Sequence, residues 1–322
     1  MLAIPPGDRA GLALNAVAQP PPNSPHAEPV TPSQRMAAAR LLLGGRQGEA
    51  VWFLRRLEEE GWRPDDLWCI RDGRDRLLAA GLISMHPGRT ATLAVSPCPD
   101  PATLEHGVTL LDAMVRELGR RGSVTLAQGL SDADDPSAGE PFQKAGFRLL
   151  AVLDCMERPN RRLTPIPVLP AGVEIRPADD DALLMQVLRA SYEQTLDCPG
   201  LAELRSDQDI LDGHRRGRRP DADLWMVLHV DGKPAGAALL NHASGGDAVE
   251  LTYLGLARWA RGRGRGALLL DTALGRAARL QEPVITLAVD ERNTPARGLY
   301  ATRGFRTRSR RGAFARVVKS ST

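Results

Sequence analysis

The stretch that decides the fold is VELTYLGLARWARGRGRGALLLDTALGRAAR, residues 249–279. It predicts a strand at Ala248–Leu256, a loop of alternating arginine and glycine, and a helix at Gly264–Leu280. The loop consists of Arg261, Gly262, Arg263, Gly264, Arg265 and Gly266. Glycine has no Cβ, so an anion can approach this backbone closely, where the free N–H groups and the positive dipole end of the helix lie. The pattern therefore predicts a pyrophosphate site, to which the arginines can add charge-assisted hydrogen bonds.

Other phosphate loops fit the stretch less well. A dinucleotide-binding fold needs Gly-x-Gly-x-x-Gly, whereas the glycines here recur at every second residue, and no Gly-Lys-Ser/Thr follows as in a P-loop. A solvated basic loop or an RNA-binding arginine-glycine segment is the remaining alternative. Such RNA-binding segments are longer and lie in disordered tails, whereas this loop is held between a strand and a helix.

The arrangement Arg-x-x-Gly-x-Gly, met by Arg261, Gly264 and Gly266, resembles the acyl-CoA loop of the GNAT acetyltransferase superfamily. The resemblance covers about residues 172–319 and includes VDERNTPARGLYATRGF, residues 289–305. It implies acetyl-CoA as co-substrate and no metal. The cofactor contacts that it implies are Leu254, Gly255, Leu256, Asn293 and the six residues of the loop.

The resemblance also implies an N-acetyltransferase that moves an acetyl group to a primary amine by direct attack in a ternary complex. Backbone N–H groups around Leu254–Leu256 are expected to stabilise the oxyanion, and Tyr300 stands where the family places its general acid. Glu250 is the candidate base, because a carboxylate inside an apolar strand needs an explanation. A strand period of two puts Glu250 on one face with Thr252 and Leu254, opposite Leu251 and Tyr253. Asp290 or a relay through water is the alternative base.

The acceptor side is less well defined by the sequence. Three residues after the first helix of the second half are candidate substrate contacts, together with Asp290. They are Tyr192, Glu193 and Asp197. A cleft between two domains favours a small-molecule amine, since ligand sites often lie at domain interfaces.

Outward from this stretch, the order of predicted elements repeats. FQKAGFRLLAV (142–152) and LYATRGFRTRS (299–309) both read as aromatic residue, helix end, Gly-Phe and strand, with their Gly-Phe phenylalanines 158 residues apart. We expect an α/β (α+β) fold of two tandem GNAT-like domains, each a mixed, mostly antiparallel sheet flanked by helices. The predicted division is a disordered proline-rich leader (1–33), a degenerate GNAT-like domain (34–158), a linker (159–171) and an acetyl-CoA-binding GNAT domain (172–322).

The first half departs from the pattern at the decisive place. Its equivalent loop, SPCPDPATLEHG (96–107), has one glycine and three prolines, with Asp100 and Glu105. Prolines lack a backbone donor and carboxylates repel phosphate, and Phe142 replaces the tyrosine. The first half is therefore expected to bind no acetyl-CoA.

Composition excludes several classes. With 42 basic and 39 acidic residues the net charge is +3, and aromatic residues make up 4%, which gives no case for nucleic-acid binding. The four cysteines form no Cys-x-x-Cys, so a zinc site or disulfide framework is not expected. No apolar run reaches the ~18–20 residues of a membrane span, and no targeting segment is recognised. A cytoplasmic monomer or homodimer without membrane contact is expected.

Three alternatives stay open from the sequence. The second half could hold an acyl-CoA as a regulatory ligand without turnover, or it could acetylate a protein amine. The arginine clusters at 214–219 and 306–316 could instead contact nucleic acid or other anions, although a solvated helix end is the preferred explanation of the first.

Overall fold

The structure is a computed structural model that describes residues 26–45, 47–59, 61–161, 164–215, 223–243 and 247–319. The first half runs strand, two helices, three strands, helix, strand, helix, strand. Its elements are β1 (Ala27–Pro29), α1 (Arg35–Leu42), α2 (Gln47–Glu59), β2 (Leu67–Arg71), β3 (Leu77–His86), β4 (Thr90–Val95), α3 (Pro101–Arg121), β5 (Leu126–Asp132), α4 (Glu140–Lys144) and β6 (Arg148–Pro159).

The second half repeats this order element for element over the described residues. Its elements are β7 (Val173–Pro177), α5 (Asp181–Tyr192), α6 (Asp207–Arg215), β8 (Trp225–Val230), β9 (Lys233–His242), β10 (Ala248–Leu256), α7 (Arg265–Ala277), β11 (Val284–Asp290), α8 (Thr294–Thr302) and β12 (Arg306–Val317). The predicted α/β class is confirmed.

Regular structure begins inside the segment 1–33 that the sequence predicts to be a disordered leader. Ala27–Pro29 pair antiparallel with Trp68–Ile70 of β2, so the first half has the opening strand that β7 provides in the second. Three residues ending in proline are too few to show a strand period, which is why the pattern hides them. Residues 1–25 of the predicted leader and 162–163 of the predicted linker lie outside the described residues.

Helix α3 begins at Pro101, inside the predicted loop 96–107, so more than half of that loop is helical. Proline is tolerated at the first helical position, where its missing N–H would have no partner within the helix. The prolines of this segment therefore gave a wrong prediction of where α3 begins.

The strands of the described residues form one sheet in the order β1-β2-β3-β4-β5-β12-β6-β11-β10-β9-β8-β7. Among the strands that the structure describes, pairing is parallel only between β4 and β5 and between β10 and β11, as expected for a mixed, mostly antiparallel sheet. The two closing strands are exchanged. β12 pairs with β5 of the first half, and β6 pairs with β11 of the second half, while β6 and β12 pair with each other at the centre.

The exchange extends to the cores. Met156 of β6 packs in the apolar cluster of the second half, and Phe314 of β12 packs in a cluster of the first half. Each half is thus completed by the last strand of the other. No helix in the described ranges is both long enough and apolar enough to span a bilayer.

Candidate active site

A cleft opens in the sheet where β10 and β11 part. The two strands pair only over Ala248–Glu250 and Val284–Thr286, and beyond these residues each keeps its other neighbour alone. The N–H of Ala257 donates to the Ala235 carbonyl next to β9 at 2.8 Å. Because successive N–H groups of a strand alternate in direction, those of Leu254 and Leu256 point into the cleft.

A bulge in β10 changes which side chains share a face. The register shifts between Leu251 and Tyr253, and the amide of Asn241, which faces Glu250 across the ladder, donates to Thr252 Oγ1 at 3.1 Å. The ring of Tyr253 packs against α5 and α6, the same face of the sheet. The predicted alternation is therefore wrong after Thr252, since the extra residue brings Tyr253 onto the face of Glu250.

The arginine-glycine loop leaves an uncapped helix N-terminus. Gly262 and Gly264 have φ values of +74° and +72°, and a Cβ on either would meet no atom within 4 Å. Helix α7 starts with no side-chain cap at Gly264. Within the described part of the chain, the backbone N–H groups of residues 262–266 have no acceptor. They form an open cradle at the positive end of the helix dipole, a ready site for a phosphate group.

The Arg261 guanidinium is turned away from this cradle. It donates to the carbonyl oxygens of Leu256 at 3.0 Å, Ser191 at 2.8 Å, Glu193 at 2.9 Å and Gln194 at 3.2 Å. Four of its five N–H groups are thus engaged. In this arrangement Arg261 ties the end of α5 to the end of β10.

The other cations of the region have no such partners. Arg265 lies 5.7 Å and Lys233 4.7 Å from the ring centroid of Trp259, and one terminal nitrogen of Arg265 is buried without a hydrogen-bond partner. Among the described residues, neither these two nor Arg263 forms an ion pair. Their charge is left to attract an anion at the cradle.

A groove of about 550 Å³ adjoins the loop, between the end of α5 and residues 257–259. Its lining includes Glu193, Lys233 and Trp259. Tyr192 does not line it, because its ring packs edge-to-face on Tyr253 at 6.0 Å, and burial raises the pKa of Tyr192 to about 12. The structure thus separates two neighbouring substrate candidates.

Tyr300 of α8 is a buried phenol, 6% exposed, with its ring 5.8 Å from that of Phe305. Burial, reinforced by the nearby Asp197 carboxylate, raises the pKa of Tyr300 well above its usual range. Like any tyrosine hydroxyl, it is protonated at neutral pH and can donate a hydrogen bond. Asn293 caps α8, accepting from the Ala296 N–H at 3.3 Å.

Asp290, at the end of β11, is fully buried and held on several sides. It accepts two hydrogen bonds from the Arg292 side chain, at 2.9 and 2.6 Å, and one from the Cys198 N–H at 3.1 Å. Burial alone would raise the pKa of Asp290, but the hydrogen bonds from Arg292 and Cys198 lower it. Its backbone N–H in turn donates to Asp197 at 2.8 Å. This network attaches the segment after α5 to β11.

The arginine cluster on β12 is largely neutralised. Arg308 pairs with Glu157, and Arg316 pairs with Asp112 at 2.6 Å. In the other cluster, residues 216–219 lie outside the described residues. Within the described ranges, no group of three or more His, Cys, Asp or Glu side chains could hold a metal ion.

The comparisons with known proteins agree with this geometry. Residues 185–305 match the family described as the Acetyltransferase (GNAT) family. The chain carries a GNAT domain. The match supports acyl-CoA-dependent acetyl transfer in general and confirms the resemblance found in the loop. A search of the curated proteins found no match.

Two solved structures resemble the chain over nearly its whole length. A GCN5-related N-acetyltransferase from Sphaerobacter thermophilus has a TM-score of 0.62 at 18% identity, covering 92% of this chain and 96% of that one. A tandem GNAT protein from the clavulanic acid biosynthesis pathway has a TM-score of 0.51 at 16% identity, covering 93% of this chain and 100% of that one. At these identities the likeness concerns the fold, and it confirms two tandem GNAT-like domains.

Two features of the GNAT domain were not predicted from the sequence. In the sequence pattern Arg261 looks like a phosphate-binding arginine. Its contacts with backbone carbonyls were missed, because only the fold shows where its guanidinium points. The contact between the Tyr253 hydroxyl and Ser191 has one sequence signal, the glycine two residues after the tyrosine. A Cβ at Gly255 would lie 2.4 Å from that hydroxyl, so a glycine is needed there.

Proposed function

We propose that the protein is an acetyl-CoA-dependent N-acetyltransferase that acetylates a primary amine of a small molecule. The observation that carries the proposal is the uncapped N-terminus of α7, facing the open end of the cleft between β10 and β11. An anion-binding cradle beside a splayed strand pair suits a ligand with a pyrophosphate at one end and a long arm.

In this proposal the N–H groups of residues 262–266 hold the pyrophosphate of acetyl-CoA. Arg263 and Arg265 supply positive charge, and Arg261 fixes the loop through the carbonyls that it binds. Asn293 contacts the cofactor from the start of α8. The pantetheine arm lies along β10, where the N–H groups of Leu254 and Leu256 face the cleft.

The chemistry is direct attack of the amine on the thioester carbonyl. Those same N–H groups stabilise the developing oxyanion. As the carbon–sulfur bond breaks, Tyr300 gives its proton to the leaving thiolate and regains one from solvent. Burial makes this phenol a weaker acid, so the assignment is supported by the place of Tyr300 in the motif at residues 289–305.

Glu250 is proposed to take the proton from the amine. At ~3.3 Å per residue, its Cα lies about 13 Å along the strand from that of Leu254, so the proton passes through water between them. Asp290 is less suited to this role, because its oxygens already accept hydrogen bonds from Arg292 and Cys198. The groove lined by Glu193 is a candidate path for the acceptor, with Tyr192 packed behind it.

Calorimetry with acetyl-CoA tests the donor site, and a thermal-shift screen of amines in its presence tests the acceptor site. Turnover is measured as the amount of free CoA released, which chromatography quantifies. We expect acetyl-CoA to bind at one site per chain and at least one small amine to release CoA. Binding without release by any amine would favour the regulatory alternative, and release only with peptides would favour a protein amine.

A further inference from the structure

The hairpin between β3 and β4 of the first half reaches α6 of the second half. Its tip, residues 87–89, has φ values of +77° at Gly88 and +50° at Arg89. A Cβ on Gly88 would lie 2.1 Å from the Asp209 carbonyl oxygen and 2.9 Å from the Gly213 nitrogen. Only a glycine allows this close approach between the halves.

A bidentate ion pair joins the same two elements. Arg89 Nε donates to Asp209 Oδ1 at 2.8 Å, and Nη2 donates to Oδ2 at 2.7 Å. Asp209 is 3% exposed and also accepts from Ser206 Oγ at 2.6 Å. The Arg89 carbonyl accepts from the Thr125 N–H at 2.8 Å, which ties the tip to the start of β5. The cation is thus presented from a turn that is hydrogen-bonded to the start of β5.

The ion pair secures one end of the connection between α5 and α6, residues 193–206. Arg261 holds the beginning of this connection through the Glu193 and Gln194 carbonyls. Asp290 holds its middle through the Cys198 N–H, and Arg89 holds its end through Asp209. The connection borders the groove at Glu193 and brings the Asp197 charge near Tyr300.

We propose that Arg89 is a positioning residue, through which the first half holds the α5–α6 connection in the conformation that receives the acceptor. The statement about the acceptor rests on the proposed function, whereas the statement about the connection does not. The first half then has a role in the reaction although its own loop lacks the cradle.

Two substitutions attack this contact by different means. Arg89→Ala removes the cation and leaves the Asp209 carboxylate buried without its partner, which is costly. Gly88→Ala keeps the charge but places a methyl group against α6. Matched controls lie in the first half: Arg121→Ala breaks the 2.8 Å pair with buried Asp66, and Gly122→Ala strains a φ of +66° where no atom lies within 4 Å.

The readout is the rate at which N-ethylmaleimide labels each cysteine, followed by mass spectrometry of peptides. Cys198 lies in the connection, and burial with the nearby Asp197 and Asp290 carboxylates raises the pKa of its thiol to about 12, so it labels slowly while the connection is closed. Cys69, fully buried in the first-half core, reports global unfolding.

In Arg89→Ala and Gly88→Ala we expect Cys198 to label about tenfold faster, or ~1.4 kcal/mol of local opening, with Cys69 unchanged. Neither control should show this selective gain, and Arg89→Lys should restore part of the protection. With an amine found by the screen, the KM for the amine should rise and that for acetyl-CoA should stay constant.

Unchanged labelling of Cys198 in both variants would overturn the proposal, as would an equal rise at Cys198 and Cys69. The labelling needs no ligand. Wild-type protein that fails to bind acetyl-CoA would therefore refute the proposed function and leave the test of the connection intact.

Discussion

The N-termini of α3 and α7 occupy the same place in the repeat but are finished in opposite ways. At α3 the Asp100 side chain accepts from the Thr103 N–H at 2.9 Å, and Pro101 has no N–H to offer. At α7 the cap is Gly264, and the first N–H groups stay open. One fold thus carries both versions, and the difference teaches that a built-in carboxylate takes the place that an anionic ligand needs.

The closing helices of the two halves differ in the same direction. Phe142 of α4 stacks on Phe314 at 5.4 Å and lies over Gly129, where a Cβ would be 2.1 Å from its ring. Tyr300, its counterpart in α8, brings a hydroxyl instead. In the first half this position is filled by aromatic packing, whereas the second half keeps a hydroxyl there.

Importing the cap of the first half into the second should give the largest effect. We expect Gly264→Asp to weaken acetyl-CoA binding about 100-fold or more, because unit charges ~4 Å apart near a protein surface repel by ~4 kcal/mol. Aspartate and asparagine tolerate the φ of +72° better than most residues. Calorimetry measures the change, with Gly264→Asn as the uncharged control of equal shape.

Gly264→Asn should lose much less affinity than Gly264→Asp, and the gap between them should narrow at high salt. Equal losses in both variants would mean that shape and not charge decides the site, and the electrostatic difference between the two helix ends would then be irrelevant to binding.

Tyr300→Phe makes the second half resemble the first at the closing helix. If Tyr300 protonates the thiolate, kcat should fall by about 100-fold while the acetyl-CoA dissociation constant stays the same, since the ring packing is kept. Tyr253→Phe is the matched control, because Tyr253 is also buried and its hydroxyl contacts Ser191. It should cost about 1 kcal/mol of unfolding free energy and leave kcat unchanged. Equal kcat in wild type and Tyr300→Phe would remove Tyr300 from the mechanism.

Local patterns predicted the elements that position the site. β10 was expected at its observed bounds, because the apolar pattern that predicts a strand is a property of neighbouring residues. The exchange of β6 and β12 was not predicted, since both closing strands follow a similar Gly-Phe motif and nothing local selects a partner. The bulge at Thr252 was missed because an extra residue shows only against the register of the neighbouring strand. The partner of Arg89 was missed because it lies 120 residues away in the chain.

Removing the cap of the first half should give the smallest effect. Asp100→Ala should lower the melting temperature by a few degrees at most, because a lost N-cap costs modest stability. It should create no acetyl-CoA binding, since Pro101 still lacks its N–H.

The same substitution has a pH dependence, because the Thr103 N–H lowers the pKa of Asp100 in the folded state. The contribution of the Asp100 carboxylate to the free energy of unfolding is therefore present above its unfolded pKa of ~3.9. It is lost as pH falls through the lower pKa of the folded state. The melting temperatures of wild type and Asp100→Ala should differ at pH 7 and converge in acid. Asp100→Asn keeps an uncharged cap, so the difference between its melting temperature and that of Asp100→Ala should be the same at both pH values. New acetyl-CoA binding in Asp100→Ala would show that the carboxylate alone separates the two halves.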